Sequence, residues 1–214
     1  MQNIPAPKFQ KSPVEAFTKN EIDGLLRSCS HTRKAETRYR SSYIYSRPTA
    51  KRDRAIILIL LDTGLRAREL CSLKIGDVNL KTGRVTVEHG AIGGAKGGKG
   101  RTVFLGKSSR RSLWRYLTTR DDGDDPESHL LLAVGDRNMS TNVLRLLIKS
   151  LARKADVKKS YPYKFRHTFA ITYLRSGGDV FTLQALLGHS TLDMVLGDPY
   201  RWSWHIQKKL HEEQ

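Results

Sequence analysis

The sequence predicts a mostly α-helical domain that carries one small antiparallel β-sheet. Two observations carry this. Apolar residues recur at three- and four-residue spacings in stretches opened by a capping side chain or closed by glycine, as buried faces of helices do. Two short segments, Arg84 to His89 and Thr102 to Leu105, instead alternate apolar with polar residues and flank a glycine-rich link. A chain of 214 residues suits one domain, alone or with arms. Its 38 Lys and Arg against 21 acids give a net charge of +17, which favours a polyanion. Nucleic acid comes first and an acidic membrane surface second, against the plain alternative of a basic soluble protein. Cys29 and Cys71 form neither a metal-ligand spacing nor a disulfide framework, which suits a reducing cytosol. The N-terminus lacks a signal-peptide core, and the longest apolar run, Ala55 to Leu61, is too short to span a bilayer.

In chain order, residues 1–17 hold prolines and lysines without a period and read as an arm or linker. Thr18 and Glu21 fit a capping box for a helix through Ile22, Leu25 and Leu26 to about Cys29. Residues 31–54 are long and polar, with Arg33, Lys34, Arg38, Arg40 and Arg47 interleaved with Tyr39, Tyr43 and Tyr45. This is either a solvated loop or, preferred here, one that touches phosphates. Ala55 to Asp62 reads as a buried helix ending at Gly64, and Ala67 to about Lys74 as an amphipathic one. Arg66 then lies in the turn between them, with Glu69 placed to pair with it or with backbone donors, or to be a plain surface acid.

The link between the two strands holds Gly90, Gly93, Gly94, Gly97, Gly98 and Gly100, with Lys96 and Lys99 among them. It lacks the G-x-x-x-x-G-K-S/T spacing of a nucleotide phosphate loop and leads into a strand, so ATP binding is rejected. Lys107 to Thr119 reads as a helix with Leu113, Trp114 and Leu117 inward. Asp121 to Glu127 reads as a solvated acidic turn, because it lacks the alternation of a calcium loop. Leu130 to Val134 is a short buried strand or helical segment. Ser140 can cap a helix with Val143, Leu144, Leu147, Ile148 and Leu151 inward. Pro162 opens a helix that Gly177 and Gly178 stop. Asp179 caps the last one, which Gly188 ends. This places Arg166 near the start of one helix and His189 just past the end of the next.

R-H-T-F-A at Arg166 to Ala170, with L-L-G-H-S at Leu186 to Ser190, resembles the second signature block of the tyrosine recombinases, the phage-integrase family. T-G-L-R-A-R-E-L at Thr63 to Leu70 resembles the first block, and A-K-G-G-K-G-R at Ala95 to Arg101 the lysine-bearing hairpin. The likeness runs from about Thr18 to about Val195. It implies a tyrosine recombinase catalytic-domain fold and cleavage and rejoining of double-stranded DNA through a 3′-phosphotyrosyl intermediate, with no cofactor and no metal. By this resemblance, Arg66 and Arg166 neutralise the scissile phosphate, a task suited to planar, permanently charged donors. Lys96, with Lys99 as backup, protonates the leaving oxygen, and His189 hydrogen-bonds the same phosphate. Arg33, Arg38, Arg40, Lys99, Arg101 and Lys164 are expected to contact DNA, although Lys164 should point away from Arg166. The family also implies a tetrameric synapse on DNA, a monomer being compatible with the isolated chain. It implies a cytoplasmic setting without a membrane partner.

Two positions depart from the family pattern. Tyr163 stands where His or Lys is usual, in P-Y-K-F-R, and can donate a hydrogen bond but is harder to charge. Asp198 stands at the usual distance of the nucleophilic tyrosine after the histidine, and Tyr200 lies two residues later within L-G-D-P-Y-R-W-S-W. Gly197 and Pro199 argue against a smooth helix there. Tyr200 is therefore either the nucleophile or a tail aromatic beside Trp202 and Trp204. The expected organisation is an arm at 1–17, the catalytic domain at 18–195 and a divergent tail at 196–214. The other readings are a DNA-binding remnant that has lost cleavage, and a type IB topoisomerase-like enzyme, which L-L-G-H-S disfavours. The arginine pair and His189 should converge on one basic concavity.

Overall fold

A computed structural model describes residues 14–30, 35–37, 40–43, 47–88 and 100–188, with backbone alone for the two short segments before residue 47. Helix α1 spans Lys19–Ser30. Its capping box forms as the sequence implies: the Thr18 N–H donates to Glu21 at 2.7 Å and the Glu21 N–H to the Thr18 hydroxyl at 3.2 Å. Phe17, assigned to the arm, is buried against the Phe165 ring at 4.7 Å, so packing begins before the cap.

Strands β1 (Ala35–Thr37) and β2 (Arg40–Tyr43) pair antiparallel, where a long polar loop was expected. Helix α2 (Ala50–Thr63) also starts earlier than its apolar run. The reason is charge pairing: Asp53, fully buried, accepts from Arg52 and Arg47, which lets a polar turn enter the core. The rest of α2 is apolar all round (Ala55, Ile56, Ile57, Ile59 and Leu60 are buried) and forms the centre of the domain. It packs against α1, against α4 (Lys107–Leu117) and against α6 (Pro162–Arg175).

Gly64 ends α2 with a left-handed φ of 60°. A Cβ there would lie 2.6 Å from a Phe169 ring carbon, so glycine is required both by conformation and by the approach of α6. Helix α3 (Ala67–Ser72) follows at once. Strands β3 (Arg84–Val87) and β4 (Arg101–Phe104) pair antiparallel in the register Arg84 to Phe104 and Val87 to Arg101, as a hairpin demands. The link between them, with Lys96 and Lys99, lies outside the described residues.

On α4, Leu113 and Leu117 are buried but Trp114 is 55% exposed, against the expected inward side chain. Tyr116 takes the inward place instead, two residues on and so on the opposite side of the helix. Leu130 and Leu131 are buried in an irregular segment held by isolated bridges, neither strand nor helix, and Val134 is exposed. Helix α5 (Thr141–Lys154) is capped by Ser140, which accepts from Val143 N–H at 3.2 Å; it buries Leu144, Ile148 and Leu151 but leaves Val143 exposed. Helix α7 (Val180–Leu187) is capped by Asp179 and closed by Gly188 at a φ of 62°. Ala170, Leu183 and Leu187 join α6 to α7 in a small second core. Among the described residues no helix is long and apolar enough to cross a membrane, and no group of His, Cys, Asp and Glu could hold a metal ion.

Candidate DNA-phosphate site

Three arginines from separate parts of the chain meet at the C-terminal end of α7. Arg166, on the first turns of α6, is buried; its guanidinium donates to the Gly64 carbonyl at 2.8 Å and to the Leu187 carbonyl at 2.6 Å. Arg66, in the turn between α2 and α3, donates to the Gly188 carbonyl at 3.1 Å and to Glu69 at 3.0 Å. Arg101, at the start of β4, donates to the Leu186 carbonyl at 2.8 Å and forks onto Glu69 at 3.0 and 2.7 Å. Leu186, Leu187 and Gly188 thus each hold a different guanidinium. The unpaired carbonyls at a helix C-terminus carry partial negative charge, which is why cations settle there.

Glu69 is the carboxylate at the centre. It accepts from the Arg66 N–H at 2.7 Å, from the Arg66 side chain, and twice from Arg101. Burial would raise its carboxyl, but these hydrogen bonds, Arg101's first, outweigh it and hold the group at about 2. Arg166 moves the other way for a base: burial, then the charge of Arg66, push its guanidinium down to about 9. It is still a cation at neutral pH, and the charge of Glu69 acts against the shift.

Arg66 and Arg166 therefore converge on one locus, as the sequence implied. Tyr163, one turn before Arg166 on α6, is exposed and near enough for its phenol to bear on the Arg166 charge. His189, Tyr200, Lys96, Lys99, Arg33 and Arg38 lie outside the described residues, and of Arg40 only the backbone on β2 is described.

Two expected DNA contacts face inward instead. Lys164 is buried, 3.6 Å from Glu21 and 4.3 Å from the centre of the Phe17 ring; apolar packing with one carboxylate holds it on the side of α6 away from Arg166. Arg101 spends its guanidinium on Glu69 and α7, with its side chain 8% exposed. The strand period contained this signal. Arg101 and Val103 share a face of β4, and Val103 is buried.

The sequence matches the model of the Phage integrase family over residues 16–201. Among curated relatives, the tyrosine recombinase XerA of Thermococcus kodakarensis is 35% identical over 195 residues, 89% of this chain and 60% of that protein. The tyrosine recombinase XerC of Pelobacter propionicus is 38% identical over 141 residues, 66% of this chain and 45% of that protein. The chain thus spans 60% or less of the length of these relatives. The crystal structure of XerA recombinase superposes with a TM-score of 0.68 at 28% identity, over 85% of this chain and 58% of that one. The Tn1549 transposon integrase, solved with circular intermediate DNA, shares the fold with a TM-score of 0.69 at 21% identity, over 88% and 63% of the two chains. The domain has the fold of a tyrosine recombinase catalytic domain, its arginines meet where the two signature blocks meet, and the chain belongs to the phage integrase family.

Proposed function

We propose that this chain is the catalytic part of a site-specific recombinase or integrase that cleaves and rejoins double-stranded DNA. The observation that carries the reading is the convergence of Arg66 and Arg166, far apart in the sequence, on the C-terminal end of α7. In the proposed reaction the two guanidiniums hold the non-bridging oxygens of one phosphate and stabilise the charge that grows on them at the transition state. The Tyr200 phenol gives up its proton to water as its oxygen attacks phosphorus, a 3′-phosphotyrosyl bond forms and the bond to the 5′ oxygen breaks. Lys96 supplies the proton that this oxygen takes up. Reversal by a new 5′ hydroxyl rejoins the strand, so one phosphodiester is exchanged for another without ATP. Tyr163 donates a hydrogen bond at the phosphate where the family usually has His or Lys, and His189 donates a second. Arg33, Arg38, Arg40 and Lys99 hold the duplex, and several copies assemble on DNA, as a tetramer at full occupancy.

The position of Tyr200 favours a second reading, a DNA-binding remnant. Two residues along a helix is a rotation of about 200°. A nucleophile misplaced by about 1 Å can lose about a hundredfold. The chain should accordingly bind duplex DNA with a steep loss of affinity in salt and cleave slowly.

The test is a nicked suicide duplex, with the covalent adduct measured for the native chain and for Tyr200→Phe. A slow adduct that Tyr200→Phe abolishes supports the recombinase. Salt-dependent binding without any adduct supports the remnant. An adduct that survives Tyr200→Phe places the nucleophile elsewhere. Salt-independent binding, or none at low salt, removes both readings.

A further inference from the structure

Arg101 follows the lysine-bearing link, yet its guanidinium points into the domain rather than toward solvent. Its three nitrogens are divided between two targets. Nε is on the Leu186 carbonyl at 2.8 Å, and Nη1 and Nη2 are on the two oxygens of Glu69 at 3.0 and 2.7 Å. The same two carboxylate oxygens receive the backbone and side chain of Arg66. Gly188 fits flat against this guanidinium: a Cβ there would lie 3.1 Å from Arg101 Nη1 and 3.3 Å from its Cζ. One planar group therefore touches the carboxylate that aims Arg66 and the helix end whose carbonyls hold Arg66 and Arg166.

We propose that Arg101 is a positioning residue, which sets the angle of Arg66 through Glu69 and clamps the end of α7 through Leu186, without itself touching DNA. Among the described residues, three charged groups face Glu69: Arg66 from the turn before α3, Arg101 from β4 and, across the site, Arg166 from α6. Without Arg101, Glu69 keeps the two bonds from Arg66 but becomes a half-buried carboxylate that has lost two of the four donors the described residues give it. The Arg66 guanidinium then swings on a one-sided partner. Lysine cannot replace it, because an ammonium is a point charge and the arrangement needs a planar fork. What the aimed Arg66 is for rests on the recombinase reading; how it is aimed does not.

The experiment uses the full chain with Arg101→Ala, Arg101→Lys and Glu69→Gln, read in three ways. The first is the Glu69 carboxyl titration by carbon-13 NMR without DNA. In the native chain it stays charged well below the ordinary carboxylate range, and in Arg101→Ala it should take its proton at a higher pH. An unchanged titration overturns the link. The second is the dependence of duplex affinity on salt. The slope should be the same in Arg101→Ala and the native chain, whereas a slope smaller by about 0.9 means a direct phosphate contact and overturns the proposal. The third is adduct formation on the suicide duplex, expected to fall about a hundredfold in Arg101→Ala. Arg101→Lys should fall with it, and a native rate in the lysine variant would show that charge alone suffices, which also overturns it. If Arg101→Ala does not fold, the titration and salt slope of Arg101→Lys decide. If the native chain forms no adduct, the recombinase reading fails while the first two measurements still judge Arg101.

Discussion

The two ends of α2 bury arginines in opposite ways. At its start, Arg52 and Arg47 close on the carboxylate of Asp53, which also accepts from the Thr49 hydroxyl at 2.9 Å. There the guanidiniums meet a full negative charge beside the helix N-terminus, where an acid is favoured. At its end, Arg166 meets the Gly64 carbonyl and, on α7, the Leu187 carbonyl. A carbonyl satisfies an N–H donor without cancelling a charge. The first cluster sets Arg47 and Arg52 on Asp53, and the second gathers Arg66, Arg101 and Arg166 around Glu69. The balance of charge differs between the two: two guanidiniums share one carboxylate at the start of α2, and three gather about one carboxylate at the end of α7.

The difference can be broken from either side. Asp53→Ala should have the largest effect on stability, about 3–5 kcal/mol, because it strands buried guanidiniums; urea unfolding would read it. The same variant should leave adduct formation per folded molecule unchanged, and a specific loss there would mean that the first cluster also serves the site. Arg166→Ala should do the reverse, cutting adduct formation about 10²- to 10³-fold, as loss of a preorganised donor does. Arg166→Lys should not restore the rate, since one ammonium cannot reach both carbonyls and a phosphate.

Glu69→Gln is expected to cost about 1–3 kcal/mol at neutral pH by weakening the bonds from two arginines. The native carboxyl, held at about 2 against an ordinary 4.5, contributes stability that is fully present above 4.5 and lost as pH falls through about 2. The gap between native and Glu69→Gln stability should therefore close on acidification, and a constant gap would deny the linkage. Trp114→Ala should change stability least, by less than about 0.5 kcal/mol, because the ring is more than half exposed. A larger loss in thermal unfolding would show that this face of α4 is packed in solution.

Much of this was legible in the chain. The caps at Thr18, Ser140 and Asp179, the stops at Gly64 and Gly188 and the alternation of β3 and β4 all rest on neighbours a few residues away. Arg66 and Arg166 were likewise readable from local motifs. Less legible were residues whose partners lie far along the chain. Arg101 and Lys164 look like surface cations until Glu69, Leu186, Glu21 and Phe17 are brought to them. The polar turn at Arg52 and Asp53 hid the true start of α2 because its burial depends on mutual pairing and on the Leu132 carbonyl, which accepts from Arg52 at 3.0 Å.

The sequence by itself determined most helices and the hairpin pairing, since periodicity, capping and glycine stops act over a turn or two, and its likeness to the family's motifs singled out Arg66 and Arg166. Only the tertiary structure decided which cations are aimed outward, which are spent inside, and that three of them share the last carbonyls of α7. The physical reason is that a charge has no intrinsic direction. Its role is set by the nearest acceptor, and here the nearest acceptors lie up to 122 residues away in the chain.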